Sequence, residues 1–267
     1  MYIKEYIVNF DKVNIFFCQF KFLNAIRFLC AELARKVFDP YNVSSYAQTG
    51  EDLIITSILG KTGFYVDVGC NHPEVFSNTF VLYKCGWTGI TIDANKELIQ
   101  KNQKLRKQDT SICAVVSDKK QKAAFTDFED SLVSSLNTEV INHWQKTLKI
   151  KEQRIVNTVL LSTILDSHEV PKNFDLLSID VEGHDFEVLS SLNLNIYRPK
   201  LIVIEMLEFD LLNPSSNKIY EYLRVNNYKM ISYVIWNGYF LDSSTTDYLA
   251  EVPYWAKRQL QDSQGKR

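Results

Sequence analysis

The chain has 267 residues, of which 46% are apolar and 23% charged, with a formal net charge of −2. That is enough chain for a domain with its own core, without disulfide or metal staples. Lys and Arg are spread along the sequence and give no basic field to hold a polyanion, which argues against nucleic acid as a main partner. Cysteines at 18, 30, 70, 85 and 113 show neither zinc-knuckle spacing nor a disulfide framework, a usage that fits a reducing cytoplasm.

From the N-terminus, residues 15–38 are rich in aromatics but interrupted by Lys21, Arg27, Glu32, Arg35 and Lys36. The longest uncharged stretch, 13–20, falls far short of the ~20 residues a spanning helix needs, and no small-residue cleavage site follows it. Phe16, Phe20, Leu23, Arg27 and Cys30 recur at helical spacing. This predicts an amphipathic helix packed on the domain or on a second subunit, with peripheral membrane contact as the alternative. Asp39 and Pro40 end the segment, and residues 45–59 read as a capped helix before the breakers Gly60 and Gly63. The expected organisation is a helical extension (1–45), a main domain (46–242) and a tail (243–267) that is basic from Lys257 onward.

The main domain opens with a strand at 64–68 that stops on Asp67, Val68, Gly69, Cys70 and Asn71. Its β-branched and aromatic bias is that of a strand buried on both faces, and Gly69 lets backbone approach a ligand closely. A nicotinamide fingerprint needs two further glycines within five residues, and Cys70, Asn71, His72, Pro73 and Glu74 stand there instead. The acid, glycine and asparagine suit an S-adenosylmethionine (SAM) loop. The next strand, 90–93, ends on Asp93, a carboxylate able to accept hydrogen bonds from both ribose hydroxyls.

Further strands are expected at 111–116, 174–180 and 201–205, with helices starting near Ser77, Lys96, Gly183 and Asn217. Such alternation predicts an α/β fold, a mostly parallel sheet with helices on both faces. Residues 228–234 and 239–241 flank Asn237 and Gly238, which predicts a closing antiparallel hairpin turning at those two residues. Residues 119–162 break the alternation, with strands at 123–127 and 155–161 around a polar helical middle. This insert is expected to face the substrate, because such folds vary beyond the strands' carboxyl ends.

The densest chemistry lies at Ser178, Ile179, Asp180, Val181, Glu182, Gly183, His184 and Asp185. Asp180 and Glu182 share one face of an extended chain, and Gly183 allows the turn into a helix. The acids either serve the ligand crevice or only cap that helix.

With both motifs in order, the chain resembles the FkbM-type methyltransferase family over residues 46–241. The likeness includes Gln48, Gly50, Glu51 and Asp52 before the first strand, and Ser77, Asn78 and Thr79 opening the first helix. It continues through Gly86, Trp87, Thr88 and Gly89 and through residues 199–205. Departures are Cys70 in place of the usual alanine, His72 and Pro73 in the loop, and Asp93 where glutamate is frequent. The resemblance implies a class I SAM-methyltransferase (Rossmann-like) sheet and O-methylation of a hydroxyl on a sugar, glycan or glycosylated metabolite. It implies cofactor contacts at Gln48, Glu51, Asp67, Gly69, Cys70, Asn71, Asn78, Asp93, Ala94, Ala114 and Asp180. A non-catalytic interaction module that keeps the fold is the competing class.

A sugar hydroxyl ionises far above pH 7, so a base must take its proton or a cation must acidify it. Asp180, Glu182, His184 and Glu205 are the catalytic candidates. Asp180 and Glu205 could alternatively hold Mg²⁺ through oxygen ligands, as in catechol-type methyltransferases, which this region resembles; the metal-free route is the one favoured here. His143, beside Trp144, reads as a surface histidine.

Overall fold

The computed structural model describes residues 10–38, 44–129 and 133–244. Asp39, Pro40 and the tail from 245 onward, and with them the expected end of the first segment and the basic end, lie outside the described residues.

The N-terminal segment forms two helices rather than one, α1 (Phe10–Gln19) and α2 (Phe22–Phe38). The break at Phe20 and Lys21 resets the helical phase, so the face predicted for one continuous helix does not carry across it. Phe16, Phe20, Ala25 and Phe28 are buried, whereas Leu23, Arg27 and Cys30 are exposed. The buried face packs on the main domain as expected: Phe20 meets Tyr83 edge-on at 5.2 Å and Phe28 lies 5.6 Å from Phe80. The Gln19 side chain donates to the carbonyls of Tyr83 and Trp87 at 2.9 and 2.7 Å. No described helix is long and apolar enough to cross a membrane.

The helix expected over 45–59 is only α3 (Glu51–Ile58). Asp52 explains the shortening: its carboxylate accepts from the Ser45 hydroxyl at 2.6 Å and the Tyr46 N–H at 2.7 Å. That folds residues 45–50 back over the helix start and places Gln48 beside the site.

The central sheet has seven strands: β1 (Phe64–Val68), β2 (Thr88–Asp93), β3 (Thr110–Cys113), β7 (Leu176–Ile179), β8 (Leu201–Glu205), β9 (Tyr228–Val234) and β10 (Asn237–Asp242). Their order is β3-β2-β1-β7-β8-β10-β9. All neighbouring pairs are parallel except those made by β10. The fold is thus the Rossmann-like α/β sheet with a terminal antiparallel hairpin. Val66, Leu177, Ile179, Ile202 and Ile204 form its dry centre, each burial contributing about 1.5–3 kcal/mol. The strand order reverses between β1 and β7, and crevices beyond the carboxyl ends at such a point take ligands.

The strand expected over 111–116 splits. β3 stays in the main sheet, while β4 (Val115–Val116) pairs with β6 (Ile150–Val159), which also pairs antiparallel with β5 (Lys122–Phe128). Ala114 is the crossover residue. The insert's helical middle is α6 (Thr138–Trp144), and a further helix, α7 (Leu161–Ser167), begins where strand was expected. The helix expected near Ser77 is α4, starting at Phe80 (Phe80–Lys84); the others are α5 (Lys96–Leu105), α8 (Asp185–Ser190) and α9 (Lys218–Val225).

The hairpin forms, but its turn is Ile235 and Trp236, with Ile235 left-handed at φ 58°, not Asn237 and Gly238. Asn237 is buried and donates to Glu51 at 3.0 Å. Gly238 is needed inside β10, where a Cβ would come within 2.5 Å of the Met206 sulfur. Packing therefore claims both residues and moves the turn two positions earlier.

Candidate active site

The two motif loops lie against each other at the switch point. Asp180 donates its N–H to the Val68 carbonyl at 3.0 Å, and Gly69 donates to Ile92 at 2.9 Å. Gly69 has φ +83°, and a Cβ there would sit 1.7 Å from the Asp180 carbonyl oxygen; no other residue type permits this approach. Glu182 and Gly183 are also left-handed, at φ 54° and 81°, and Gly183 lets Val140 of α6 pack where its Cβ would be, 2.7 Å away.

Two clefts open beyond the strand ends. The smaller, of about 140 Å³, has Val68, Gly69, Asn71, Asp93, Ala94 and Ala114 on one side and Val115, Val116, Phe125 and residues 134–136 on the other. The larger, of about 810 Å³, is walled by α6, α8, the residues after β8 and Trp236. Gln48, Asp180 and Glu182 line both. Of the catalytic candidates, Asp180 and Glu182 stand at the junction, Glu205 faces only the larger cleft and His184 only the smaller one. His184 is tied there to the Ser117 hydroxyl at 2.9 Å and lies 3.6 Å from Glu187; burial lowers its pKa. His143 is exposed but lines the larger cleft, edge-on to Trp144 at 5.0 Å.

Asp93 accepts from the Asn71 N–H at 2.9 Å and the Asn95 N–H at 2.7 Å, one on each oxygen. A carboxylate has about two acceptor sites per oxygen, so a diol can still be bound. Other expected cofactor residues support the loop instead of lining either cleft. Asp67 is buried and accepts from Thr79 at 2.6 Å. Asn78 donates to Ser178 at 3.2 Å, Glu51 accepts from Thr49 and Asn237, and Cys70 is buried. His72 takes the Glu74 and Val75 N–H groups on Nδ1, both at 3.2 Å, and so shapes its own loop.

Two features escape sequence reasoning. Arg106 is fully buried, paired with Asp109 at 2.8 Å and donating to Tyr65 at 2.6 Å and Thr79 at 2.9 Å, so it braces the hydroxyl that holds Asp67. Asp185 joins Asp180 and Glu205 in a carboxylate trio, with one oxygen from each lying within 4.8 Å of those of the other two. Asp185 accepts from the Val181 and Gly183 N–H groups at 2.9 and 3.0 Å, while Glu205 has a buried oxygen with no hydrogen-bond partner. Burial first, then repulsion from neighbouring acids, pushes Asp180 to about 6 (Asp67 and Glu51), Asp185 to about 8 (Asp180) and Glu205 to about 10 (Asp180, Asp185 and Glu182).

Residues 67–230 match the model of the methyltransferase FkbM domain, more than half of the chain. The chain belongs to the FkbM methyltransferase family. No curated protein matches it. Among solved structures, the methyltransferase FkbM from Methylobacillus flagellatus KT is similar at a TM-score of 0.41 and 11% identity, the match covering 69% of this chain and 45% of that one. The chain thus spans less than half the length of that FkbM protein.

The trio gives a pH prediction. In the unfolded chain these carboxylates titrate near 3.8, 3.8 and 4.5, so the folded state holds their protons more tightly. Where the folded state binds more protons, stability falls as pH rises. Thermal denaturation without added cations is therefore expected to occur at a lower temperature at pH 8.5 than at pH 5.5, and Glu205→Gln should shrink the difference. A melting temperature that rises with pH would contradict the protonated trio.

Proposed function

We propose that this FkbM-family chain transfers a methyl group from SAM to a hydroxyl of a sugar, glycan or glycosylated metabolite. The supporting observation is the wall that the two clefts share at Asp180 and Glu182. The residues present suit the cofactor: Asp93 keeps free acceptor sites for ribose hydroxyls, and Val115, Val116 and Phe125 offer apolar surface for an adenine. SAM supplies a methyl group already activated on a sulfonium. The protein's part is to align the acceptor oxygen and take its proton.

Asp180, half-ionised near pH 6, is mostly a carboxylate at neutral pH and is placed between the clefts to accept that proton. Glu205 and Asp185 hold theirs, which divides one trio into a base and two hydrogen-bond donors. As an alternative, the three oxygen donors also suit Mg²⁺, which would acidify the hydroxyl. A module that only binds partners would have no use for this arrangement, because buried, mutually repelling carboxylates lower stability.

Two measurements test the reading. SAM should bind at micromolar level by calorimetry, and Asp93→Ala should weaken it by about 1–3 kcal/mol. Because burial raises Asp93 to about 6, affinity is expected to fall as pH drops through 6 and the ribose acceptor is protonated. Binding of NAD but not SAM would overturn the assignment. Labelled SAM with candidate sugars, phenols and amines then tests the acceptor class.

A further inference from the structure

One stretch of the insert walls both clefts: Ser134, Ser135 and Leu136 face the smaller, and Asn137, Val140 and Trp144 the larger. It is fastened to the motif loop through that loop's carbonyls. The Ser135 hydroxyl donates to the Glu182 carbonyl at 2.9 Å, and the Asn137 amide nitrogen donates to the Gly183 carbonyl at 2.8 Å. The amide cannot be turned round, because its oxygen caps α6 by accepting from the Glu139 and Val140 N–H groups at 2.9 and 3.4 Å. Ser135 is fixed in its turn: it exchanges two backbone bonds with Thr126 of β5, both 3.1 Å, and its hydroxyl accepts from the Asn137 N–H at 2.9 Å. The turn they hold needs holding. Glu182 and Gly183 are consecutive left-handed residues, and a residue with a side chain keeps that conformation only where its surroundings impose it.

We propose that Asn137 is a positioning residue for methyl transfer: its amide nitrogen fixes the Glu182–Gly183 turn and thereby the placement of Asp180 between the two clefts. The role rests on the methyl-transfer reading above. Capping alone does not call for an amide, since Asp or Ser caps a helix as well as Asn; the donating nitrogen is what those residues lack. On the strand side Asp180 is held by its N–H on Val68, so the direction of its side chain depends on where the chain goes next. Asp185 ties the amide side of that turn through the Val181 and Gly183 N–H groups, and Ser135 and Asn137 tie the carbonyl side. Val140 closes the remaining space, its methyl group lying 2.7 Å from where a Gly183 Cβ would be. Releasing the carbonyl side lets the turn relax toward the right-handed region, and misplacing a reacting group by about 1 Å costs as much as roughly 10²-fold in rate.

The test compares the full chain with Asn137→Asp, Asn137→Ser and Ser135→Ala, using labelled SAM and an acceptor that the wild-type protein methylates. Asp keeps the cap and the outline but sets a carboxylate oxygen against the Gly183 carbonyl; Ser keeps the cap and is too short to reach it. Both are expected to lower kcat by about tenfold or more, with SAM affinity and melting temperature close to wild type. If Asn137→Asp does not fold, Asn137→Ser carries the comparison. A lower melting temperature with kcat intact, or wild-type kcat in both variants, would overturn the proposal and leave the methyl-transfer reading standing. Ser135→Ala should lower kcat as well, and Ser135→Ala with Asn137→Ser should lose less than the product of the two single losses, because both side chains act on one turn; losses that simply multiply would contradict the shared clamp. Hydrogen exchange gives a readout that needs no turnover: the amides of 181–184 should exchange about tenfold faster in both Asn137 variants. A wild-type protein that methylates no acceptor would sink the methyl-transfer reading and with it the catalytic purpose of Asn137. Faster exchange would then retain the clamp alone, and unchanged exchange would sink both.

Discussion

Asp180→Asn is expected to lower turnover by roughly 10²-fold or more, the usual loss when a general base is removed, while SAM affinity stays nearly unchanged. The substitution keeps the side chain's shape and removes only its charge. Asp180 lines both clefts, whereas Asp93, the residue proposed to hold the ribose, stands at the end of a different strand and lines only the smaller one. Steady-state kinetics and SAM calorimetry on the same preparation separate the two effects. With Asp180 near 6, wild-type turnover is expected to rise through an acidic limb near that pH, and the limb should vanish in the variant. EDTA distinguishes the two roles of the trio: indifference supports direct proton transfer, and loss with rescue by Mg²⁺ supports a cation held by Asp180, Asp185 and Glu205. Near wild-type turnover would remove Asp180 from the mechanism and shift attention to Glu182.

Gly69→Ala is expected to abolish SAM binding and to lower stability by about 2–5 kcal/mol, combining left-handed backbone strain with overpacking. The new Cβ would fall on the Asp180 carbonyl, and the Asp180 N–H is itself bonded to Val68, so the loops cannot separate without breaking the junction of β1 and β7. Gly50→Ala is the control. Gly50 has a similar φ of +89° but nothing within 4 Å of a Cβ, so only the strain of about 1–2 kcal/mol should appear. Chemical denaturation measures both. If the two variants lost equal stability, the close approach of the motif loops would not hold.

β1 and β8 were legible to the residue because apolar runs bounded by breakers leave little choice of limits. Asp180, Gly69 and Asp93 were legible for a related reason, since an acid or glycine ending such a run is delivered to the crevice. What stayed hidden depends on contacts between distant segments. Asp185 reads as an ordinary first-turn helix acid until its carboxylate is seen turned back onto Val181 and Gly183. Arg106 sits in a run of lysines and glutamines that looks solvated, and only the fold brings Tyr65 and Thr79 to it. Asn237 and Gly238 carry a turn signal that tertiary packing overrides. The N-terminal face was misread because a single break at Phe20 and Lys21 changes which positions align. The larger cleft gathers α6, the segment after β8, α9 and Trp236, segments that no spacing connects.

The most direct test of the account is the position of the transferred methyl group. Incubating the protein with SAM carrying a ¹³C-methyl group and a panel of neutral and amino-bearing glycosides, then reading the products by NMR, distinguishes a methyl on oxygen from one on nitrogen by its chemical shift. The account predicts an O-methyl product, formed at a rate that collapses in Asp180→Asn. A methyl found only on nitrogen or on a protein side chain would contradict it.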